Sequence, residues 1–174
     1  MEFDYVKETE VTASGVDGRH NTTTNGLLDV LNRFIATSQE LNLYKKVLFS
    51  DRQPEEVFLP RPIDGDTLDQ YIEKEHIDLL HGIIGVATET GELVEIIRDK
   101  IINPTMVIDI ANVKEEIGDN LWYLARLVKY ADTTFEDEMK RNIKKLRARH
   151  GNEGFNKDRD INRDHEAERE ILES

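Results

Sequence analysis

His81-Gly-Ile-Ile-Gly-Val-Ala-Thr-Glu-Thr-Gly-Glu-Leu93, followed by Lys114-Glu-Glu-Ile-Gly-Asp-Asn-Leu-Trp-Tyr-Leu124, decides how this chain is read. At about 100° per residue, Ile110, Val113, Ile117, Leu121, Leu124 and Val128 fall along one line of a helix, which predicts a core-facing stripe. Glu116 and Asp119 lie to one side of that line, about 60° apart, with Asn120 and Tyr123 on the same flank. In the earlier segment Leu80, Ile83, Ile84, Ala87, Val94 and Ile97 form the main apolar face, and Glu89 and Glu92 lie on the other side. That other side also carries Gly85, Leu93 and Ile96, with His81 nearby. A helix apolar nearly all round is a buried one, and carboxylates on it need a partner, because an unpaired buried charge is costly. Acidic residues at i and i+3 share a face. Two such pairs on facing helices gather four carboxylates, a donor set that suits a hard divalent cation, Mg²⁺ above all, with Mn²⁺ as a substitute.

Outward from this pair of helices the pattern stays helical. Leu27, Leu28, Leu31, Phe34 and Ile35 recur at spacings of three and four and predict a helix beginning near Asn25. Pro54, Pro60, Pro62 and Gly65 then interrupt it, and Asp66 or Thr67 is placed to cap the next helix, which runs to Asn103-Pro104. A third helix spans about 109 to 131. A fourth starts at Thr133-Thr134, with Thr133 and Glu136 as a capping box, and stops at Gly151. No segment reads as a strand, so the expected class is all-α, a bundle of four or more helices. The expected organisation is a flexible arm over 1–25, a helix and Pro-rich loop over 26–65, a helical core over 66–151, and a charged C-terminal segment over 152–174 that packs on the core or on a partner subunit.

Composition excludes several functions. Lys and Arg number 23 and Asp and Glu 36, a net charge of −13, so a basic nucleic-acid surface and attachment to anionic lipid are not expected. The chain has no cysteine, which removes disulfides, thiolate catalysis and thiolate metal sites. Apolar runs are too short to span a bilayer, and the first residues do not resemble a signal peptide, so a cytoplasmic protein is expected. A carboxylate-bridged di-iron bundle would use repeated Glu-x-x-His pairs. One such pair exists, Glu73 and His76, and it lies ahead of the acidic segments.

The two quoted segments resemble the MazG-type nucleoside triphosphate pyrophosphohydrolases, whose signature is Glu-x-x-Glu, a spacer, then Glu-x-x-Asp. Glu89 and Glu92 match the first part and Glu116 and Asp119 the second, with the 23 residues 93–115 between them. Arg141 to His150 resembles the family's last core helix, and the resemblance extends over about residues 75–173. It implies an all-α enzyme that binds Mg²⁺ through Glu89, Glu92, Glu116 and Asp119 and cleaves a nucleoside triphosphate between its α and β phosphates. It also implies a homodimer or homotetramer. Lys145 and Arg149 match the family's Lys-x-x-x-Arg and are expected on the β and γ phosphates, while Asn120 and Tyr123 are expected near sugar or base. Trp122 is expected at a helix or subunit interface, His81 in the core, and Glu95 as a further ligand only in second place. The resemblance leaves the nucleotide open, with dUTP-type, dCTP-type and alarmone-directed hydrolases among similar proteins. The alternative of another class is an inactive, metal-free helical interaction module.

Overall fold

The computed structural model describes residues 3–14, 19–50, 52–57 and 68–173. Among them are eight α-helices and no strand: α1 Tyr5–Thr12, α2 Thr24–Phe49, α3 Pro54–Val57, α4 Ile77–Ile102, α5 Ile110–Tyr130, α6 Phe135–His150, α7 Lys157–Ile161 and α8 His165–Glu173. The all-α class expected from the sequence is the observed one. No helix among the described residues is long and apolar enough to cross a membrane. Pro60, Pro62, Gly65, Asp66 and Thr67 lie outside the described residues. The chain divides into two compact units, one of residues 21–132 and one of residues 1–20 with 133–174.

The first unit is built on α2, α4 and α5. Thr23 caps α2 by accepting from the Gly26 amide. Two 3₁₀ turns, Leu68–Gln70 and Lys74–His76, precede α4, so this helix begins about ten residues later than its pattern predicts. Asn103 closes α4, and Lys100 satisfies the carbonyls of Pro104 and Met106 at 2.7 Å each. Asp109 then caps α5 through the amides of Ala111 and Asn112. α4 and α5 meet where glycines replace side chains. A Cβ at Gly85 would stand 2.0 Å from the Tyr123 ring, and one at Gly82 would stand 2.4 Å from Leu127. A Cβ at Gly91 would stand 1.7 Å from Ser38 Oγ, so α2 approaches α4 as closely. Asp78 pairs with Arg126 and Lys129, and Gln39 donates to Glu95 at 2.7 Å.

This packing reverses one expectation. The stripe read as core on α5 is largely open: Ile110, Ile117 and Leu121 are each about half exposed, as are Ile83 and Ile97 on α4. The side turned inward is the one with Gly85, which meets Tyr123 of α5, Glu89, which meets Lys45 of α2, and the buried Glu116. Periodicity identifies two apolar faces on α4 but carries no information about which neighbour each meets. On α2 the same holds, with Leu27 and Phe34 exposed while Ile35 and Ser38 are buried.

The second unit is built on α6. α6 is capped by Thr134, not Thr133: Thr134 accepts from the Asp137 amide, and Thr133 instead donates to Glu138 at 2.7 Å. Gly151 ends it with φ 86°, a conformation that excludes most side chains. Residues 1–25 lack a helical apolar stripe and were expected to be a flexible arm, yet Tyr5–Thr12 is a helix. Asp4 caps it, Tyr5 donates to Asn142 at 3.3 Å, and Glu8 pairs with Arg147. Long-range polar contacts supply what the local pattern lacks. The charged C-terminal segment folds into α7 and α8 in the same way. There Glu168 is buried and accepts from Arg149 at 2.7 and 2.8 Å and from Arg163 at 2.7 Å.

Candidate metal centre

Glu89 and Glu116 are almost fully buried, at 6% and 4% exposure, which two carboxylates on solvated helix faces would not be. Each comes from the inward face of its helix, and the absence of side chains at Gly82 and Gly85 lets α5 come close enough to α4 for them to meet. Glu92, one turn along α4, stays exposed, and the three offer oxygens that all lie within 4.8 Å of one another. Like charges at that spacing repel by about 3 kcal/mol at an effective dielectric of 20. That exceeds the net contribution of about 1 kcal/mol from an ordinary hydrogen bond, so the cluster needs a cation or a proton. The carboxyls behave accordingly. Burial, then the charges of Glu92, Glu89 and Asp119, push Glu116 up to about 7. Burial and the Glu89 charge also raise Glu92.

The residues present fit a divalent cation. Glu116 Oε2 is buried with no hydrogen-bond partner, an oriented acceptor without a donor. Oxygen ligands around one small hard cation are spread over about 4 Å, a spread similar to that of these three carboxylates. Asp119, the fourth residue of the sequence motif, is exposed and outside this set of three. It lines an adjoining cavity of about 310 Å³ together with Glu89, Trp122 and Tyr123.

Other residues singled out from the sequence take definite places. Asn120 donates to the Glu116 carbonyl at 2.9 Å and accepts from Thr90 at 3.3 Å, tying α4 to α5. Tyr123 packs on Gly85 and lines the cavity. Trp122, expected at an interface, forms part of the cavity wall. His81 is a packing residue: it stacks on Phe49 at 3.9 Å and meets the edges of Trp122 and Tyr123, and burial lowers its pKa. Glu95 is taken by Gln39. On α6, Lys145 is half-buried with no ion pair among the described residues. Arg149 has its guanidinium on Glu168 and, at 3.6 Å, on Asp160. The structure thus gives Arg149 a protein partner where a phosphate was expected.

One residue escaped sequence reasoning. Lys45, on α2, donates to Glu89 Oε1 at 2.6 Å and to Thr88 Oγ1 at 2.8 Å, and its ammonium lies 4.9 Å from the Tyr123 ring centre. Burial opposes its charge, but the hydrogen bonds to Glu89 and Tyr123 hold its pKa above the ordinary value. Lys45 lies seven residues after the buried Ser38 and so shares its face of α2, but nothing in the sequence marks that face as the inward one.

Carboxylates from two packed helices, two of them buried, define the class as an all-α protein with an acidic centre. Residues 69–153 match the family model of the MazG nucleotide pyrophosphohydrolase domain, and this part of the chain is a domain of that family. No curated protein and no solved structure matches the chain.

Proposed function

We propose that the protein hydrolyses nucleoside triphosphates, ribo- or deoxyribo-, between the α and β phosphates to a monophosphate and pyrophosphate, with Mg²⁺ as its cofactor. The observation that carries this reading is the convergence of Glu89, Glu92 and Glu116 around a buried, unpartnered oxygen inside a nucleotide pyrophosphohydrolase domain. Glu89, Glu92 and Glu116 would hold the ion, with Asp119 completing the set from the cavity side. A bound divalent ion neutralises phosphate charge and lowers the pKa of water.

The chain's own residues supply the rest. A carboxylate of the cluster accepts the proton of the attacking water. Tyr123 and Trp122, on the cavity wall beside Asp119, offer faces to a sugar or base, and Asn120 holds the α4–α5 spacing on which this depends. Lys145 is assigned to the phosphates. Arg149 enters this reading only as the partner of Glu168. The half-exposed apolar stripe of Ile83, Ile97, Ile110, Ile117 and Leu121 supports association of copies of the chain into a homodimer or homotetramer.

The test is a panel of NTPs, dNTPs and alarmone nucleotides with Mg²⁺ or Mn²⁺, with products separated. Pyrophosphate and a monophosphate from at least one nucleotide are expected. Inorganic phosphate as the first product, or no turnover anywhere in the panel, would refute the reading.

A further inference from the structure

The acidic centre is completed by a cation that lies outside the matched domain. Lys45 belongs to α2, whereas the family match begins at residue 69. Its side chain is 12% exposed, and it makes two short hydrogen bonds, to Glu89 at 2.6 Å and to Thr88 at 2.8 Å. The Thr88 hydroxyl, buried at 1% exposure, donates its own hydrogen bond to the Gly85 carbonyl at 2.9 Å. The ammonium is therefore aimed at one named ligand of the cluster and fixed there by a buried network. It is also the one cation shown in contact with any of Glu89, Glu92 and Glu116 among the described residues.

Resting on the reading of these carboxylates as a cation site, we propose that Lys45 is a positioning residue that sets the site's affinity for divalent cations, by acting as a competing internal cation on Glu89. Before an ion arrives, its charge offsets part of the mutual repulsion of the carboxylates and keeps Glu89 buried and oriented. Once an ion is bound, ammonium and ion are like charges sharing Glu89, and each weakens the other's hold. The ammonium then loosens from Glu89. A site tuned in this way binds a divalent cation more weakly than its carboxylates alone would.

The test uses the full chain at pH 8, above the pKa of about 7 of Glu116, so that protons compete less with the metal. Mn²⁺ affinity is read by calorimetry and by the paramagnetic resonance of free Mn²⁺. Lys45→Gln retains a donor for Glu89 and Thr88 while removing the charge; Lys45→Arg retains the charge. We expect K45Q to bind Mn²⁺ at least about tenfold tighter than the wild type, from removal of a full charge near the ion. K45R, which keeps the charge, should stay much closer to the wild type than K45Q does. A second measurement needs no variant. Acylation of Lys45 in the wild type, followed by peptide mass spectrometry, should rise severalfold when Mn²⁺ saturates the site. K45Q affinity equal to or weaker than wild type, or Lys45 acylation unchanged by Mn²⁺, would overturn the proposal while leaving the cation site standing. A wild type that binds no Mn²⁺ would instead overturn the cation-site reading, and this proposal with it.

Discussion

Glu116 and Glu168 are equally hidden from solvent, at 4% and 6% exposure, in different compact units of the chain, yet their surroundings are opposite. Glu168 accepts from two guanidiniums, Arg149 and Arg163, and their hydrogen bonds hold its carboxyl well below the usual range. Glu116 faces Glu92, Glu89 and Asp119, keeps an oxygen without a donor, and is raised to about 7. Burial alone therefore says little about what a charged residue does. A buried carboxylate supplied with cations is part of the scaffold. One packed among other carboxylates is a destabilising arrangement, and the fold retains it with no hydrogen-bond donor for its buried oxygen.

Substitutions should separate the two most strongly in turnover. Glu116→Gln and Asp119→Asn are expected to lower Mg²⁺-dependent pyrophosphate release by more than about 100-fold, since removal of groups that merely support metal ligands already costs 10- to 100-fold. A coupled pyrophosphate assay measures this, and retained activity in E116Q would place the site elsewhere. The reciprocal substitution, Glu168→Gln, should instead lower stability by about 2 kcal/mol, the scale of hydrogen bonds to charged groups. Urea unfolding would show it as a lower midpoint at unchanged slope, and no shift would mean that the arginines find other partners.

The two carboxylates also predict opposite pH slopes for the metal-free protein. The folded pKa of Glu116, about 7, is above its ordinary value of 4.5, so the folded state holds the extra proton. Stability then falls as pH rises from about 4.5 through 7. Glu168 is lowered, so the unfolded state holds the extra proton, and its contribution is present above the ordinary value of 4.5 and is lost as pH falls below it. E116Q should flatten the neutral limb of a stability–pH curve and E168Q the acid limb. The smallest effect is expected for Lys145→Gln, a severalfold rise in KM with kcat little changed, as loss of uniform binding to the phosphates would produce. A fall in kcat alone would assign Lys145 to the transition state instead.

The Glu116 side of this contrast is legible in the sequence, and the Glu168 side is not. The boundaries of α5 and the end of α4 follow from Asp109, Asn103-Pro104 and helical periodicity, and three of the four motif acids come together as their spacing implies. What was illegible depends on long-range pairing. Lys45 meets Glu89 across 44 residues of sequence, and Arg149 meets Glu168 across 19. Nothing local distinguishes Lys45 from a solvated lysine, or Arg149 from a phosphate ligand. The direction in which α4 and α5 face was hidden for the same reason, since the stripe with Ile117 and Leu121 is as regular as a core stripe and yet lies open. α1 has almost no apolar pattern and is held by polar contacts from Tyr5 and Glu8.

The central claim is the proposal that the mutually repelling carboxylates around Glu116 form a divalent-cation site. Thermal unfolding at pH 8 over a Mg²⁺ or Mn²⁺ titration, for wild type and E116Q side by side, tests it most directly. Without metal, E116Q should melt at or above the wild-type temperature, because a mutually repelling charge is gone. With metal, only the wild type should gain, by about 2.7 kcal/mol when the ion is at a hundredfold excess over its Kd. An E116Q protein that is less stable without metal, and that gains from the ion as much as the wild type does, would contradict the account.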